Sequence, residues 1–227
     1  MNIFYYDIAL ELPLRQCFSY KSKVIIKKGT RVIVPFGKKS IIGIVVKRIS
    51  NPSSLKRLRE IISVADDYTS FEKSSFETII WASDYYHHPI GEVFFSFLPS
   101  LLRKTNDKFI GSSIEVIEYK LNKEDKNFKL TKEQKTSLSK LNKIEKFNVS
   151  LIYGVTGSGK TEIYLQLAEK FIKKNKSILV LVPEINLIPQ LVKRFEDRFS
   201  GEIGIYHSRQ TPNQRLKVWL KSKFGEI

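Results

Sequence analysis

Eight consecutive residues carry the clearest chemistry in this chain. Gly154-Val155-Thr156-Gly157-Ser158-Gly159-Lys160-Thr161 satisfies every fixed position of the pattern G-x-x-x-x-G-K-[ST]. Glycines at 154, 157 and 159 let the backbone curl until successive N–H groups face one anion, and a helix opening near Lys160 adds the positive end of its dipole. In such a loop the Lys160 ammonium reaches β- and γ-phosphates, and the Thr161 hydroxyl ligates Mg²⁺. The pattern predicts a nucleotide site, with Lys160 and Thr161 as the catalytic candidates and Thr161 as the metal ligand.

Gln134 lies twenty residues before Gly154. A glutamine at about this distance reads the adenine edge in helicases of the second superfamily, which makes ATP the expected nucleotide. Thr131-x-x-Gln134 is also a capping box, with the side chain folded back on its own backbone. The two readings are compatible in different states. After Lys160 no apolar strand leads into an Asp-Glu pair, the group that orients the attacking water in such sites. The last residues, Gly225-Glu226-Ile227, fall where another strand should begin, so a fragment is expected that binds nucleotide without hydrolysing it.

The second chemical signal is charge. Lys and Arg number 39 against 23 Asp and Glu, a formal net charge of +16. From Leu12 through Arg59, 48 residues hold thirteen bases and no acid. A solvated face usually mixes signs, so one sign sustained over that length points to a polyanion, and nucleic acid is the expected partner. The same stretch carries short β-branched runs, Val24 to Ile26, Arg31 to Val34 and Ile41 to Val46, broken by Gly29, Pro35, Gly37 and Gly43. It therefore reads as folded and not as a basic tail.

The elements that must position these groups divide the chain in three. Residues 1–105 read as a small β-rich domain. It has a loop at Asn51 to Ser54, a helix opened by the capping box Thr69-x-x-Glu72 and running to about Tyr86, and an aromatic-rich segment from Ile90 to Leu98. Residues 106–129 read as a polar linker with one strand-like run, Ile114 to Tyr119. Residues 130–227 alternate helix and strand: a helix from Thr131 to about Lys146, a strand over Val149 to Tyr153, and a helix over Thr161 to Lys174. They continue with a strand over Ser177 to Val182, a helix around Pro189 to Arg198, a strand over Ile203 to Tyr206, and a helix opening at Thr211. That order predicts an α/β class with a parallel sheet.

Other chemistries are excluded or lack support. Cys17 is the one cysteine, so the sequence offers neither a disulfide nor a cysteine-rich zinc site, and His87, His88 and His207 have no ligand spacing. No apolar run approaches the roughly 18 residues of a membrane helix, and the start lacks a signal peptide's cationic head. A cytoplasmic location without membrane contact is expected.

Three blocks together resemble one family. They are the phosphate loop extended through Glu162-Ile163-Tyr164, Leu181-Val182-Pro183-Glu184-Ile185 with Pro189-Gln190, and Asp84-Tyr85-Tyr86-His87-His88-Pro89-Ile90-Gly91. They resemble the PriA family of replication-restart DNA helicases, the primosomal N′ proteins, across nearly the whole chain. Val34 to Gly37, and His207-Ser208 with Arg215 and Trp219, fit it as well.

The resemblance implies a 3′-DNA-binding domain followed by a partial RecA-like lobe of an ATP-dependent 3′-to-5′ helicase that recognises stalled forks and starts primosome assembly. It implies forked DNA with a nascent 3′ end, single-stranded DNA, and primosome and single-strand-binding proteins as partners. Zinc is expected only in a C-terminal part absent here, as are an Asp-Glu-Glu-His motif and the second lobe.

Matching positions for the 3′-end pocket are Phe18, Ser19, Gly37 and Arg59, with Lys38 and Lys39 beside them as DNA contacts. Phe18 is either core or a base-stacking ring. His87 and His88 either cap their helix or touch DNA, and Glu184 and Gln190 lie near DNA or nucleotide without an assigned role. The chain departs from the family pattern in four places: the linker is too short for an inserted winged helix, Arg209 replaces a glycine, Ile188 a threonine, and Ser19 the pocket aspartate. A lone serine hydroxyl should leave that pocket neutral, with little discrimination among terminal bases and a small penalty for a 3′-phosphate.

Overall fold

A computed structural model describes residues 2–50, 58–66, 69–105 and 129–227. The expected loop at 51–54 and the run at 114–119 lie outside the described residues, as does nearly all of the linker. The chain divides into two compact units, Met1–Ser113 with Gln210–Lys217, and Ile114–Arg209 with Val218–Ile227.

The first unit is built on five strands: β1 (Phe4–Leu10), β2 (Phe18–Ser22), β3 (Arg31–Phe36), β4 (Lys39–Ile49) and β5 (Ser63–Val64). They pair antiparallel in the order β2-β1-β4-β3-β5. Strand alternation sends Tyr6, Ile8, Leu10, Tyr20, Val32 and Val34 to one interior, where all are buried. The β3–β4 hairpin turns through Gly37 and Lys38, and Gly37 takes φ 59°, a left-handed value that glycine adopts without strain.

One segment spans the two edges of this sheet. The Lys21 N–H donates to the Arg59 carbonyl and the Ile61 N–H to the Lys21 carbonyl, which attaches residues 59–61 to β2. Further along, the Ile62 N–H donates to Ile33 and the Ala65 N–H to Arg31, which attaches residues 62–65 to β3. Backbone bonding thus runs from strand to strand around the barrel. A closed ring leaves few unpaired edge groups.

Helices cover the outer face of β1 and β4. Helix α1 (Lys73–Tyr85) and helix α2 (Ile90–Ser96) bury Phe76, Ile79, Val93, Phe94 and Phe95, and the Phe71 and Phe76 rings lie 5.3 and 5.2 Å from Phe94. Contact with β1 is close enough that a Cβ at Gly91 would fall 1.6 Å from the Leu10 carbonyl oxygen. That approach explains why both faces of β4 are buried from Ile42 to Val45.

The expected capping box at Thr69 does not form. Glu72 is the N-cap and no side chain caps the helix. Ser70 is drawn elsewhere, its Oγ donating at 2.8 Å to Asp66. Asp66 in turn accepts two bonds from Arg31, which is fully buried and also donates to the Leu102 carbonyl. A buried carboxylate needs those donors more than an exposed helix end needs a cap.

The described part of the second unit is helical: α3 (Lys132–Asn142), α4 (Lys160–Ile172) and α5 (Ile188–Glu196); a last helix, α6 (Pro212–Phe224), is divided between the two units at Lys217. Leu165, Ala168 and Phe199 form the second unit's buried cluster. Arg198 links Glu162 and Glu169 at 3.0 and 3.3 Å. The Glu169 carboxyl is held below its ordinary range by its hydrogen bond from Lys173, with Arg198 adding to the effect. Helix α3 is shorter than expected, ending at Asn142 and not near Lys146.

The expected parallel ladder is not formed among the described residues. Val149 to Tyr153, Ser177 to Val182 and Ile203 to Tyr206 carry no strand pairing, and Leu151 and Tyr153 are 90% and 96% exposed. Every ladder bond of a parallel strand comes from a distant neighbour across a crossover, so no local interaction holds such a segment in place. The described residues therefore show the β-rich unit expected and the helices of the expected α/β lobe, without that lobe's parallel sheet.

Replacing Arg31 by Met should destabilise the first unit by about 3–5 kcal/mol, because Asp66 would stay buried without its counter-charge. Urea unfolding measures this, and Arg31→Met with Asp66→Leu should recover most of the loss. A single-variant loss below about 1 kcal/mol would show that the pair is dispensable.

Candidate nucleic-acid interface and phosphate site

The barrel brings the expected DNA-contacting positions to one end. The Arg59 guanidinium donates to the Gly37 carbonyl at 3.1 Å, which sets it against the turn that carries Lys38 and Lys39, both exposed. Phe36, just before that turn, meets Phe18 edge-on with ring centroids 5.4 Å apart. Four separate parts of the sequence (β2, the end of β3, the hairpin turn and the closing segment) therefore converge. No Cβ clash protects Gly37, so its requirement is the left-handed φ alone.

Phe18 and Ser19 do not share a face. As neighbours on β2 they project to opposite sides, and Phe18 packs partly buried against the barrel core. Ser19 faces outward, but not as the lone hydroxyl the sequence suggested. Its Oγ donates to Asp7 Oδ1 at 2.9 Å, from the position directly opposite on β1. Asp7 Oδ2 lies 3.5 Å from Lys47 Nζ on β4. The expectation of a neutral site at residue 19 is corrected by this carboxylate from the adjacent strand. Its signal was available in the sequence only through the β1–β2 register, which residue spacing alone does not fix. Nearby Cys17 has its thiol pushed up to about 11, first by burial and then by Asp7, with Lys47 opposing, so it stays protonated and unreactive near neutral pH.

His87 and His88 close helix α1. His87 takes φ 52°, and the His88 N–H donates to the Ser83 carbonyl at 3.0 Å, as at a left-handed helix end. Their side chains reach Arg15 at 3.2 Å and Glu92 at 2.9 Å. Trp81, Tyr85 and Tyr86, which residue spacing did not single out as a group, form an exposed aromatic cluster next to this turn.

In the second unit the phosphate loop has the geometry its sequence demands. Gly157 and Gly159 take φ 80° and 79°, and α4 starts at Lys160. Lys160 folds back on its own loop, Nζ donating to the Gly154 and Val155 carbonyls at 2.7 and 2.9 Å. Thr156 and Ser158 are exposed, Thr161 stands in the first turn of α4, and the space beside Gly157 is open. An ammonium with only neutral acceptors, a helix N-terminus and left-handed glycines fit a nucleotide's phosphates. Thr161 fits one ligand position on their Mg²⁺. Among the described residues no group of three or more His, Cys, Asp or Glu gathers to hold a metal by itself.

Gln134 satisfies both its bonding options within the protein. Its Oε1 accepts from the Thr131 N–H at 2.9 Å while Thr131 Oγ1 accepts from the Gln134 N–H, which completes the capping box. Its Nε2 donates to the Ser158 carbonyl at 2.9 Å. A Cβ at Gly159 would lie 2.3 Å from that nitrogen and would push the Gln134 side chain aside, while the left-handed φ is what calls for glycine there. Glu184 precedes a 3-10 turn at Ile185–Leu187, and Gln190 lies in the first turn of α5.

A basic barrel with a converged cationic end, and a separate unit carrying a phosphate loop, define a DNA-binding protein with a helicase-type nucleotide-binding region. Comparison with known proteins agrees. Residues 7–99 match the PriA 3′ DNA-binding domain, and residues 127–223 match the res subunit of type III restriction enzymes. The replication restart protein PriA of Haemophilus influenzae is 30% identical over 96% of this chain, and that of Borreliella burgdorferi is 31% identical over 99%. The Rickettsia felis protein is 36% identical over 86%. The chain belongs to the PriA family of replication restart proteins, and it spans 40%, 34% and 28% of the length of these three relatives.

Gln134→Glu separates the two roles of that side chain. Glutamate keeps the capping-box acceptor but loses the donor to Ser158 and adds charge beside the phosphate site. Helix content by circular dichroism should be unchanged, while affinity for a fluorescent ATP analogue falls about tenfold or more. Unchanged affinity would show that Gln134 serves only as a cap.

Proposed function

We propose that this chain binds the 3′ end of a nascent strand at a forked DNA and binds ATP with Mg²⁺, as part of an ATP-dependent 3′-to-5′ DNA helicase that restarts stalled replication. The convergence of Phe18, Gly37, Lys38, Lys39 and Arg59 at one barrel end carries the DNA reading. In it, Lys38, Lys39 and Arg59 hold phosphates, Gly37 lets the strand approach the turn, and Phe18 with Phe36 forms an apolar rim for the terminal base. Residues 1–105 act as the DNA-binding domain, 106–129 as linker and 130–227 as the nucleotide-binding lobe. Single-stranded DNA, primosome proteins and single-strand-binding protein are the further partners in this reading.

At the phosphate loop, nucleotide entry exchanges the carbonyls now bonded to Lys160 for β- and γ-phosphate oxygens. The loop's N–H groups and the dipole of α4 stabilise the same anion. Thr161 is the residue that would hold a Mg²⁺ bound with the nucleotide, and that ion would supply neutralising charge. Hydrolysis by this chain alone is negligible in this reading, since no Asp-Glu pair follows Lys160 to orient water.

Lys160→Ala should abolish ATP binding by equilibrium dialysis and leave fork binding intact. DNA affinity should fall steeply with salt, and replacing Lys38, Lys39 or Arg59 singly by Ala should each lower the slope of log K against log[salt] by about one. A slope unmoved by all three would place the DNA elsewhere on the protein.

A further inference from the structure

Glu162 stands where a carboxylate could obstruct the phosphate loop. Gly159 is the N-cap of α4, so Glu162 is the third helical residue and the one acid of the first turn. A long polar side chain at that position commonly folds back to accept from the N-cap N–H. Two other helices of this chain do so: Gln134 Oε1 accepts from the Thr131 N–H and Gln214 Oε1 from the Thr211 N–H, both at 2.9 Å. At α4 the same fold would set an anion on the N–H of Gly159, an amide of the phosphate loop. The helix dipole also favours a carboxylate at that end. Glu162 nevertheless does not fold back. Its Oε1 accepts from Arg198 Nη1 at 3.0 Å and from Gln166 Nε2 at 2.9 Å.

Arg198 is fixed against α4 from two directions. It lies just beyond α5, in a turn where the N–H groups of Arg198 and Phe199 both donate to the Phe195 carbonyl, and Phe199 is buried with Leu165 and Ala168 of α4. Its Nη2 donates to Glu169 Oε2 at 3.3 Å, and its Nε is buried without a hydrogen bond, so the two carboxylates hold the guanidinium. Glu169 has a second cation in Lys173 at 2.7 Å, whereas Glu162 has Arg198 alone among the described residues. Resting on the reading that this loop binds ATP, we infer that Arg198 is a positioning residue of the nucleotide site: by pairing with Glu162 it keeps that carboxylate off the loop's N–H groups and leaves them to the phosphates. Without the cation, Glu162 would keep one neutral donor, Gln166, and the amides at the start of α4 would compete for it.

The test is the affinity of the full chain for a fluorescent ATP analogue with Mg²⁺, read by anisotropy. Arg198→Met should weaken binding about tenfold, because the freed carboxylate occupies loop amides and repels the phosphates. Arg198→Met combined with Glu162→Ala should return affinity to within about twofold of the unmodified chain, a rescue that lost packing could not give. Glu162→Ala by itself leaves Arg198 paired with Glu169 and should bind at least as tightly as the unmodified chain. It carries the test if Arg198→Met fails to fold. An affinity unmoved by Arg198→Met, a double variant as weak as the single one, or weakened binding by Glu162→Ala would each overturn the role of Arg198 while leaving the nucleotide site standing. Absence of binding by the unmodified chain would instead overturn the ATP reading itself, and this role with it.

Discussion

The fully buried guanidinium of Arg31 joins three parts of the first unit that are distant in sequence. It sits on β3, grips Asp66 with two nitrogens and reaches the Leu102 carbonyl beyond the helices. Ser70 completes the shell of Asp66. An ion pair in a dry interior is held by the cost of breaking it, since either partner left alone is an uncompensated buried charge. The segment leading into Asp66 is therefore fixed in place, and that same segment crosses from β2 to β3 to close the barrel. Arg59 lies at its start. Thus a buried cation, remote from any ligand, determines where an exposed one can meet the Gly37 turn.

The same economy of charge governs the surface. The barrel attracts polyanions along a stretch with no acid between Leu12 and Arg59, yet it retains Asp7 just before that stretch and folds it back across Ser19. Cations sustained along the chain draw a polyanion at long range. Strand pairing places that one carboxylate between Ser19 and Lys47 without adding acid to the basic run itself.

The phosphate loop is held ready by contacts that nucleotide must exchange. Lys160 bonds the Gly154 and Val155 carbonyls of its own loop, and Gln134 bonds that of Ser158. Left-handed φ at Gly157 and Gly159 makes that curl possible without Cβ strain. Gln134 carries the start of α3 and the loop at once, so the end of that helix and the nucleotide site cannot shift independently.

The phosphate loop was legible in the sequence to the residue, because its chemistry is local: glycines, lysine and hydroxyl at fixed spacing dictate the turn that uses them. Charge and β-branched runs likewise revealed a folded basic domain. Helix ends were less legible. Thr131 and Gln134 formed their box, but Thr69 and Glu72 did not, since Ser70 between them is tied to Asp66 and to the Gly29 carbonyl and the helix begins only after Glu72. No local pattern can report a competitor that arrives from another part of the fold. Strand pairing was least legible. It joined Asp7 to Ser19, brought Arg59 to Gly37, and left Val149 to Tyr153 without a ladder. The sequence by itself determined which chemical groups the protein owns and the turns that present them one at a time. Tertiary structure alone decided which groups act together, because antiparallel register and barrel closure depend on contacts between residues whose separation along the chain carries no signal.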